Sequence, residues 1–289
     1  TKYNKNWKKM KNHNTNLELN KEKILQQGML TEANINFYAD IFDYQFTTAN
    51  RWAAELPKVE IRDEGTEPVL DTASLQNVLP SNQLYLSSLT ELAAIISKHN
   101  PGLNFDHALE LLKHDSANAG IIESLLIMDN SKIEQLAASA GIGHEEFLFL
   151  VVNCLKPLFI ALREKHYTAD PETHREKTCP FCGYYPDMAL FSGEKEGKRY
   201  LSCGLCENLW AYRRISCAIC GESDQKKLEY FSEEGNDRYR VDACHTCNGY
   251  IKSVRLNRLD EIENCDLIIE NLMTLPLDVE MLKKGFSKP

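Results

Sequence analysis

The sequence predicts an α+β protein: a mostly helical N-terminal domain, two tandem four-cysteine β modules and a C-terminal helical segment. Three observations carry that prediction. Apolar residues recur at helical spacing across residues 15–165. Eight of the ten cysteines fall between Cys179 and Cys247, as four Cys-x-x-Cys pairs. The stretches between paired cysteines alternate like hairpins. The implied boundaries are residues 1–172 for the helical domain, 173–214 and 215–258 for the two modules, and 259–289 for the tail.

In the helical part, Asn34–Leu56 carries Ile35, Phe37, Tyr38, Ile41, Phe42, Tyr44, Phe46 and Trp52 at roughly helical spacing, as an aromatic-rich packed helix would. Leu84–His99 follows and is stopped by Asn100-Pro101-Gly102. Shorter segments at Phe105–Lys113, Ala119–Met128 and Ser131–Ala140 lead into Gly143–His166, where Pro157 is expected to kink or break the helix. Pro57–Asp71 and Pro80 read as loop, with the acidic run Glu60–Glu67 solvated. The most apolar run, Phe147–Leu162, is interrupted by Asn153, Lys156 and Pro157 and is shorter than the ~20 residues of a membrane span. It reads as a buried helix. Cys154 and Cys265, on apparent helices, read as buried thiols. The polar linker His166–Lys177, with Pro171, marks the domain boundary.

The paired cysteines are Cys179/Cys182, Cys203/Cys206, Cys217/Cys220 and Cys244/Cys247. Two intervening residues let the chain turn so that both thiolates face one ion, while backbone N–H groups of the turn hydrogen-bond the sulfurs. One turn supplies half a tetrahedron. The spacings C-x2-C-x20-C-x2-C and C-x2-C-x23-C-x2-C therefore predict two metal ions in four-cysteine sites. Whether a pair closes a site with its neighbour or crosses to the other module stays open. Between the pairs, Met188–Phe191 and Lys198–Leu201 flank the turn Ser192–Gly197, and Lys227–Phe231 and Arg238–Val241 flank Glu233–Asp237. The repeated unit is knuckle, hairpin, knuckle.

Four thiolates suit zinc or a single iron, and the opening Cys179-Pro-Phe-Cys-Gly183 occurs in both rubredoxin-like and zinc-ribbon-like turns. Zinc would make the modules structural, whereas iron would permit one-electron exchange. Either ion supplies folding energy that a module of about forty residues cannot draw from its core. Dithiol exchange is disfavoured, because a redox Cys-x-x-Cys normally stands alone at a helix start. In a reducing compartment the pairs read as ligands rather than disulfides.

Composition narrows the function classes. With 33 Lys+Arg against 42 Asp+Glu the net charge is -9, which argues against a nucleic-acid surface, and the hairpin turns carry Glu194, Glu196, Glu233 and Glu234. Thr1–Asn20 is polar without an apolar core, so neither a secretory signal nor membrane insertion is expected, and the expected location is cytoplasmic. Histidines at 13, 99, 107, 114, 144, 166 and 174 form no His-x3-His pattern, and His245, inside the last knuckle, meets a full set of thiolates and is expected to be exposed. No phosphate-binding glycine loop, Gly-x-Ser-x-Gly or nucleotide fingerprint is present, and no enzyme is expected. Trp210, Tyr212, Arg213 and Arg214 lie between the sites as either a docking ridge or inter-module packing; packing is favoured for Trp210, with Arg214 pairing with an acid across the modules. Tyr250, Lys252, Arg255 and Arg258 form a small basic stretch, either solvated or facing an acidic partner. Asp260–Lys284 reads as a helix or helix pair broken at Pro276 that packs back onto either domain.

The cysteine region, with Arg199-Tyr-Leu-Ser-Cys203, Trp210, Arg214, Cys217-Ala-Ile-Cys220, Lys227–Tyr230, Ala243-Cys-His-Thr-Cys247 and Tyr250-Ile-Lys252, resembles the FdhE family of formate dehydrogenase accessory proteins. The tail Asn271–Asp278 with Gly285-Phe286 is also similar, whereas only Phe37–Gln45 is faintly similar in the N-terminal half. Tyr184 and Asn208 depart from the pattern, which affects partner specificity rather than ligation. The resemblance implies a maturation factor that binds the catalytic subunit of formate dehydrogenase, a molybdenum or tungsten protein, and has rubredoxin-like modules implicated in binding iron. Two other classes compete. A rubredoxin-like electron carrier would leave the helical domain surplus, and a zinc-ribbon nucleic-acid-binding protein would need basic hairpins. The oligomeric state is not specified.

Overall fold

The computed structural model describes residues 10–62, 68–76, 79, 82–113, 120–127, 129, 131–193, 197–233, 235–257, 261 and 264–288. The chain is α+β, with its helices in the first half and at the end and its main sheet between them.

Ten helices are described: α1 (Asn14–Gln26), α2 (Glu32–Ala54), α3 (Ala73–Gln76), α4 (Gln83–His99), α5 (Asp106–Leu112), α6 (Ile121–Ile127), α7 (Ser131–Ala140), α8 (His144–His166), α9 (Leu267–Leu272) and α10 (Leu275–Lys283). A reciprocal cap starts α2: the Thr31 hydroxyl accepts from the Asn34 N–H at 3.3 Å, and the Asn34 side chain accepts from the Thr31 N–H at 2.8 Å. Ile35, Ile41, Phe42, Tyr44 and Trp52 then bury one face of α2 against α4 and α8. Helix α8 runs through Pro157 without a break. The proline costs about 3 kcal/mol in a helix interior. Fully burying Phe147, Leu150, Leu155, Leu158, Phe159 and Leu162 outweighs this at ~1.5–3 kcal/mol each.

The stretch expected as loop before α3 contains a short antiparallel ladder, β1 (Glu60–Ile61) with β2 (Leu70–Asp71). Most of the acidic run, residues 63–67, and Pro80 lie outside the described residues. The same stretch reaches the first cysteine turn, where Val69 N–H and Leu70 N–H donate to the carbonyls of Pro180 (3.0 Å) and Phe181 (2.9 Å). Backbone hydrogen bonds therefore tie the helical half to the first metal module.

Both expected hairpins form, each with a third strand. Strands β3 (Pro186–Ser192), β4 (Lys198–Cys203) and β5 (Leu209–Tyr212) make one antiparallel unit. Strands β6 (Leu228–Glu233), β7 (Asn236–Cys244) and β8 (Tyr250–Leu256) make the other. Parallel pairing of β3 with β8, from Met188↔Lys252 to Ser192↔Leu256, fuses them into one six-stranded sheet of order β5-β4-β3-β8-β7-β6. Trp210, on β5, is fully buried and donates from Nε1 to the Glu176 carbonyl at 2.9 Å, so it packs rather than docks.

Arg214 does not make the expected bridge between modules. It is exposed and has no ion-pair partner among the described residues. Arg199 bridges instead. It is 2% exposed, donates from Nη1 to the Ser216 carbonyl (2.8 Å), reaches Asp242 on β7 (3.4 Å) and lies over the Phe191 and Tyr212 rings. The basic stretch after the last knuckle is likewise not a solvated run. Lys252 is completely buried, with Nζ 2.6 Å from Asp278 Oδ2 and 2.8 Å from the Asn271 carbonyl, and burial pulls its pKa down to about 8. Its place on β8, in the middle of the sheet, forces it inward. Arg255 is exposed, and Arg258 lies outside the described residues.

The tail forms two helices, but Pro276 begins the second one instead of ending the first. It sits in the first turn of α10, where a missing N–H costs nothing, and the break falls at Met273–Thr274. Helix α9 packs on α1, and the end of the chain joins the sheet region, with Ser287 N–H donating to the Asn248 carbonyl at 2.9 Å. The tail thus touches both halves.

His13, just before α1, is 4% exposed and sits between Asp266 (2.8 Å) and Glu207 (3.2 Å). Burial alone lowers its pKa, but the Glu207 charge and the hydrogen bonds to Asp266 and Glu207 raise it from 6.5 to about 9. A raised folded pKa means that the pairing contributes fully below about pH 6.5 and is lost as pH climbs through about 9. The stability gap between wild type and His13→Gln in urea unfolding should therefore narrow over that interval; a constant gap would show that His13 is neutral throughout. Arg199→Met should cost roughly 2 kcal/mol in the same measurement, since it removes a buried donor but leaves Asp242 paired with Arg240.

Candidate metal centres

The four cysteine turns meet within modules. Cys179, Cys182, Cys203 and Cys206 form one group and Cys217, Cys220, Cys244 and Cys247 the other, with the sulfurs of each group all within 4.8 Å of one another. In the first group Sγ of Cys182 lies 3.5 Å from those of Cys203 and Cys206, and Cys179 lies 3.6 Å from Cys206. In the second, Cys217–Cys247 and Cys220–Cys244 are both 3.7 Å apart. A disulfide would bring sulfurs to about 2.05 Å. A tetrahedron with metal–sulfur bonds of about 2.3 Å has edges of about 3.8 Å. The spacing matches the tetrahedron, so these residues fit a single zinc or iron ion in each group.

Local backbone chemistry explains why the turns form. N–H groups of Leu205 and Cys206 point at Cys203 Sγ at 3.4 Å, and those of Ile219 and Cys220 point at Cys217 Sγ at 3.4 and 3.5 Å. The residue after each turn adopts a left-handed conformation: Gly183 (φ 81°), Glu207 (57°), Gly221 (83°) and Asn248 (53°). Glycine and asparagine reach it at little cost, whereas a glutamate does not.

The two groups differ in their surroundings. All four sulfurs of the first are buried, belong to the same apolar cluster as the helical half, and sit beside Phe181, Leu205 and Trp210. In the second, Cys217 and Cys244 are buried, Cys247 is half-buried and Cys220 is exposed. Burial opposes ionisation of Cys179, but hydrogen bonds from Cys182, Cys203 and Cys206 outweigh it and bring its pKa well down, while burial drives Cys182 and Cys206 well up. With Cys182 and Cys206 held neutral by burial beside Cys179, a cation at the centre would be needed to hold the group as thiolates.

Two domain families match this region end to end: "FdhE, central domain" over residues 178–214 and "FdhE, C-terminal domain" over residues 215–289. Residues 178–289 therefore match the central and C-terminal domains of the FdhE family. Relatives called "Protein FdhE homolog" include one from Aquifex aeolicus, 29% identical over 172 residues, covering 58% of this chain and 59% of that one. Another, from Pectobacterium carotovorum, is 27% identical over 241 residues, covering 79% and 69%. A third, from Shewanella baltica, is 32% identical over 113 residues, so that this chain spans 36% of its length. The crystal structure of the FdhE protein from Pseudomonas aeruginosa aligns with TM-score 0.55 at 22% identity, covering 92% of this chain and 91% of that one, which shows a shared fold.

Several residues beside the FdhE cysteines escaped sequence reading. Asn208, a departure from the family pattern, points Nδ2 at Cys179 Sγ at 3.7 Å. Glu207 is held in its unfavourable conformation by Lys156 (3.0 Å) and His13 (3.2 Å), both buried. The legible signal was a glutamate standing where two other turns carry glycine. His245 is exposed as expected and lies 3.1 Å from Glu229, taking no part in the sulfur group. Cys154 is fully buried on α8, and Cys265 is half-buried just before α9; neither joins a group.

Challenge of the metal-loaded chain with a thiol-competing chelator should release one ion rapidly from the second site and the other slowly from the first, as followed by absorbance of the chelate. A single phase would contradict the difference in burial. Cys179→Ser with Cys182→Ser and Cys217→Ser with Cys220→Ser should each remove one ion by elemental analysis, and the first pair should lower the thermal midpoint more, because its site lies inside the main core.

Proposed function

We propose that this chain is a cytoplasmic maturation factor that binds the catalytic subunit of formate dehydrogenase and assists its assembly or activation, acting by binding and without turnover. The observation that carries the reading is the pair of FdhE domains over residues 178–289, with all eight ligand cysteines in two closed groups. The helical half supports it as well: a large packed domain tied to the first site by Val69 and Leu70 is more than a metal carrier requires. Among the described residues no helix is long and apolar enough to cross a membrane. The reduced, paired cysteines suit a reducing compartment.

A bound zinc ion would cross-link the turns, and a bound iron ion would add a one-electron couple. The chain's own residues hold the site's shape: N–H groups of Leu205, Cys206, Ile219 and Cys220 stabilise sulfur charge, and Asn208 adds a donor at Cys179. Electron transfer is a second reading favoured by one feature, the exposed Cys220, which gives the second site an edge open to a redox partner.

Deletion of the gene should abolish formate dehydrogenase activity and leave its catalytic subunit unassembled, and the full chain supplied in trans should restore both. Normal activity and assembly in the deletion strain would sink the reading. Elemental analysis with a visible spectrum on anaerobically purified protein separates the two roles. Two iron atoms with thiolate charge-transfer bands favour electron transfer, whereas two zinc atoms and a colourless protein leave binding as the function.

A further inference from the structure

Beside the second cysteine group lies a cavity of about 350 Å³, within the range of specific ligand sites. Its wall includes Cys217 and Cys244, and three arginines line it: Arg199, Arg214 and Arg240. One carboxylate serves two of them. Asp242 accepts from Arg240 at 2.6 Å and from Arg199 at 3.4 Å, and a third contact, from the Ser253 hydroxyl at 2.9 Å, completes its shell. The cavity's other acid, Glu229, hydrogen-bonds His245 at 3.1 Å and makes no ion pair with Arg214 among the described residues. Arg214 therefore stands without a counter-charge among the described residues, and the cavity keeps a positive surplus in a chain of net charge -9.

Two further observations say what would fill it. Arg199 is only 2% exposed, with Nη1 on the Ser216 carbonyl and Nη2 on Asp242, so the cations a ligand can reach are Arg214 and the part-exposed Arg240, whose guanidinium lies over the Phe191 and Tyr230 rings. At the rim stand Ile215, 54% exposed, and Tyr230, 66% exposed, two large apolar side chains left in water beside a charged pocket. A small free acid would satisfy the arginines but leave this rim uncovered. A carboxylate on a polypeptide, next to an apolar side chain, would meet both. Tyr230 belongs to β6, the outer strand of the sheet, so an extended segment can approach there without displacing a neighbouring strand.

We propose that this cavity binds an acidic segment of a partner protein, with its carboxylate against Arg214 and Arg240 and an adjacent apolar side chain on Ile215 and Tyr230. The proposal rests on the reading of the chain as a protein-binding factor and adds the place and the chemistry of binding. It also places the partner over the more open of the two sulfur groups.

The test is a random heptapeptide phage library panned on the metal-loaded full chain, with the double variant Arg214→Gln, Tyr230→Ser as counter-target. Both positions are exposed, and thermal unfolding verifies that the variant folds. Enriched peptides should pair Asp or Glu with Leu, Ile or Phe. Their fluorescein-labelled forms should bind about tenfold more weakly to Arg214→Gln, or when their own Glu is changed to Gln. No enrichment, enrichment without acidic residues, or equal binding to the variant would overturn the proposal. Complementation separates the two readings. If the double variant loses peptide binding yet fully restores formate dehydrogenase in the deletion strain, the cavity is not the partner site and the maturation role stands. If peptides bind as expected but the deletion strain makes normal formate dehydrogenase, the maturation role falls and the cavity stands.

Discussion

The modules depend on gathering four sulfurs around one centre. Neither module has the size to bury a sufficient core alone, and outside the main core the sheet adds only two small apolar clusters. An ion held by each sulfur group would supply what is lacking, because it would cross-link two turns at the ends of strands. Strand register follows from this constraint. Cys203 and Cys244 close β4 and β7, so the hairpins must pair in a way that brings Cys179/Cys182 and Cys217/Cys220 to those ends.

Parallel pairing of β3 with β8 turns two small units into one body. It buries Ser253, Val254 and Leu256 in the middle of a sheet instead of leaving them on an edge, and it draws Lys252 inward to meet Asp278 from the tail. Arg199 reinforces the junction by reaching from the first unit to Ser216 and Asp242 of the second. The C-terminal helices then close against both α1 and the sheet, so the tail works as a clasp between halves.

The two sulfur groups inherit unequal environments from this arrangement. The first is enclosed by the helical half, by Trp210 and by the residues preceding and forming β2, with the buried charges of His13, Lys156 and Glu207 beside it. The second stays near the surface, next to a positively charged cavity. Burial slows exchange of ions and electrons, and exposure permits it. The difference in accessibility between the two groups follows from where each module sits, not from any difference in ligands.

The amino-acid sequence alone determined the paired cysteines, the hairpins between them, the helices of the first half and the FdhE likeness of residues 178–289, because Cys-x-x-Cys turns and helical periodicity are local patterns. It left open whether Pro157 kinks or breaks its helix, which runs on unbroken, and it misplaced the break at Pro276, because packing of neighbouring residues decides whether a proline interrupts a helix or begins one. It assigned the inter-module bridge to Arg214 and read Lys252 as part of a basic surface stretch, because which strand neighbours which is invisible to a local reading. Which cysteine turns share a site, how deeply each site lies and where three arginines converge were decided only by the tertiary structure. Each of these depends on pairing between residues far apart in the chain, above all the parallel contact of β3 with β8.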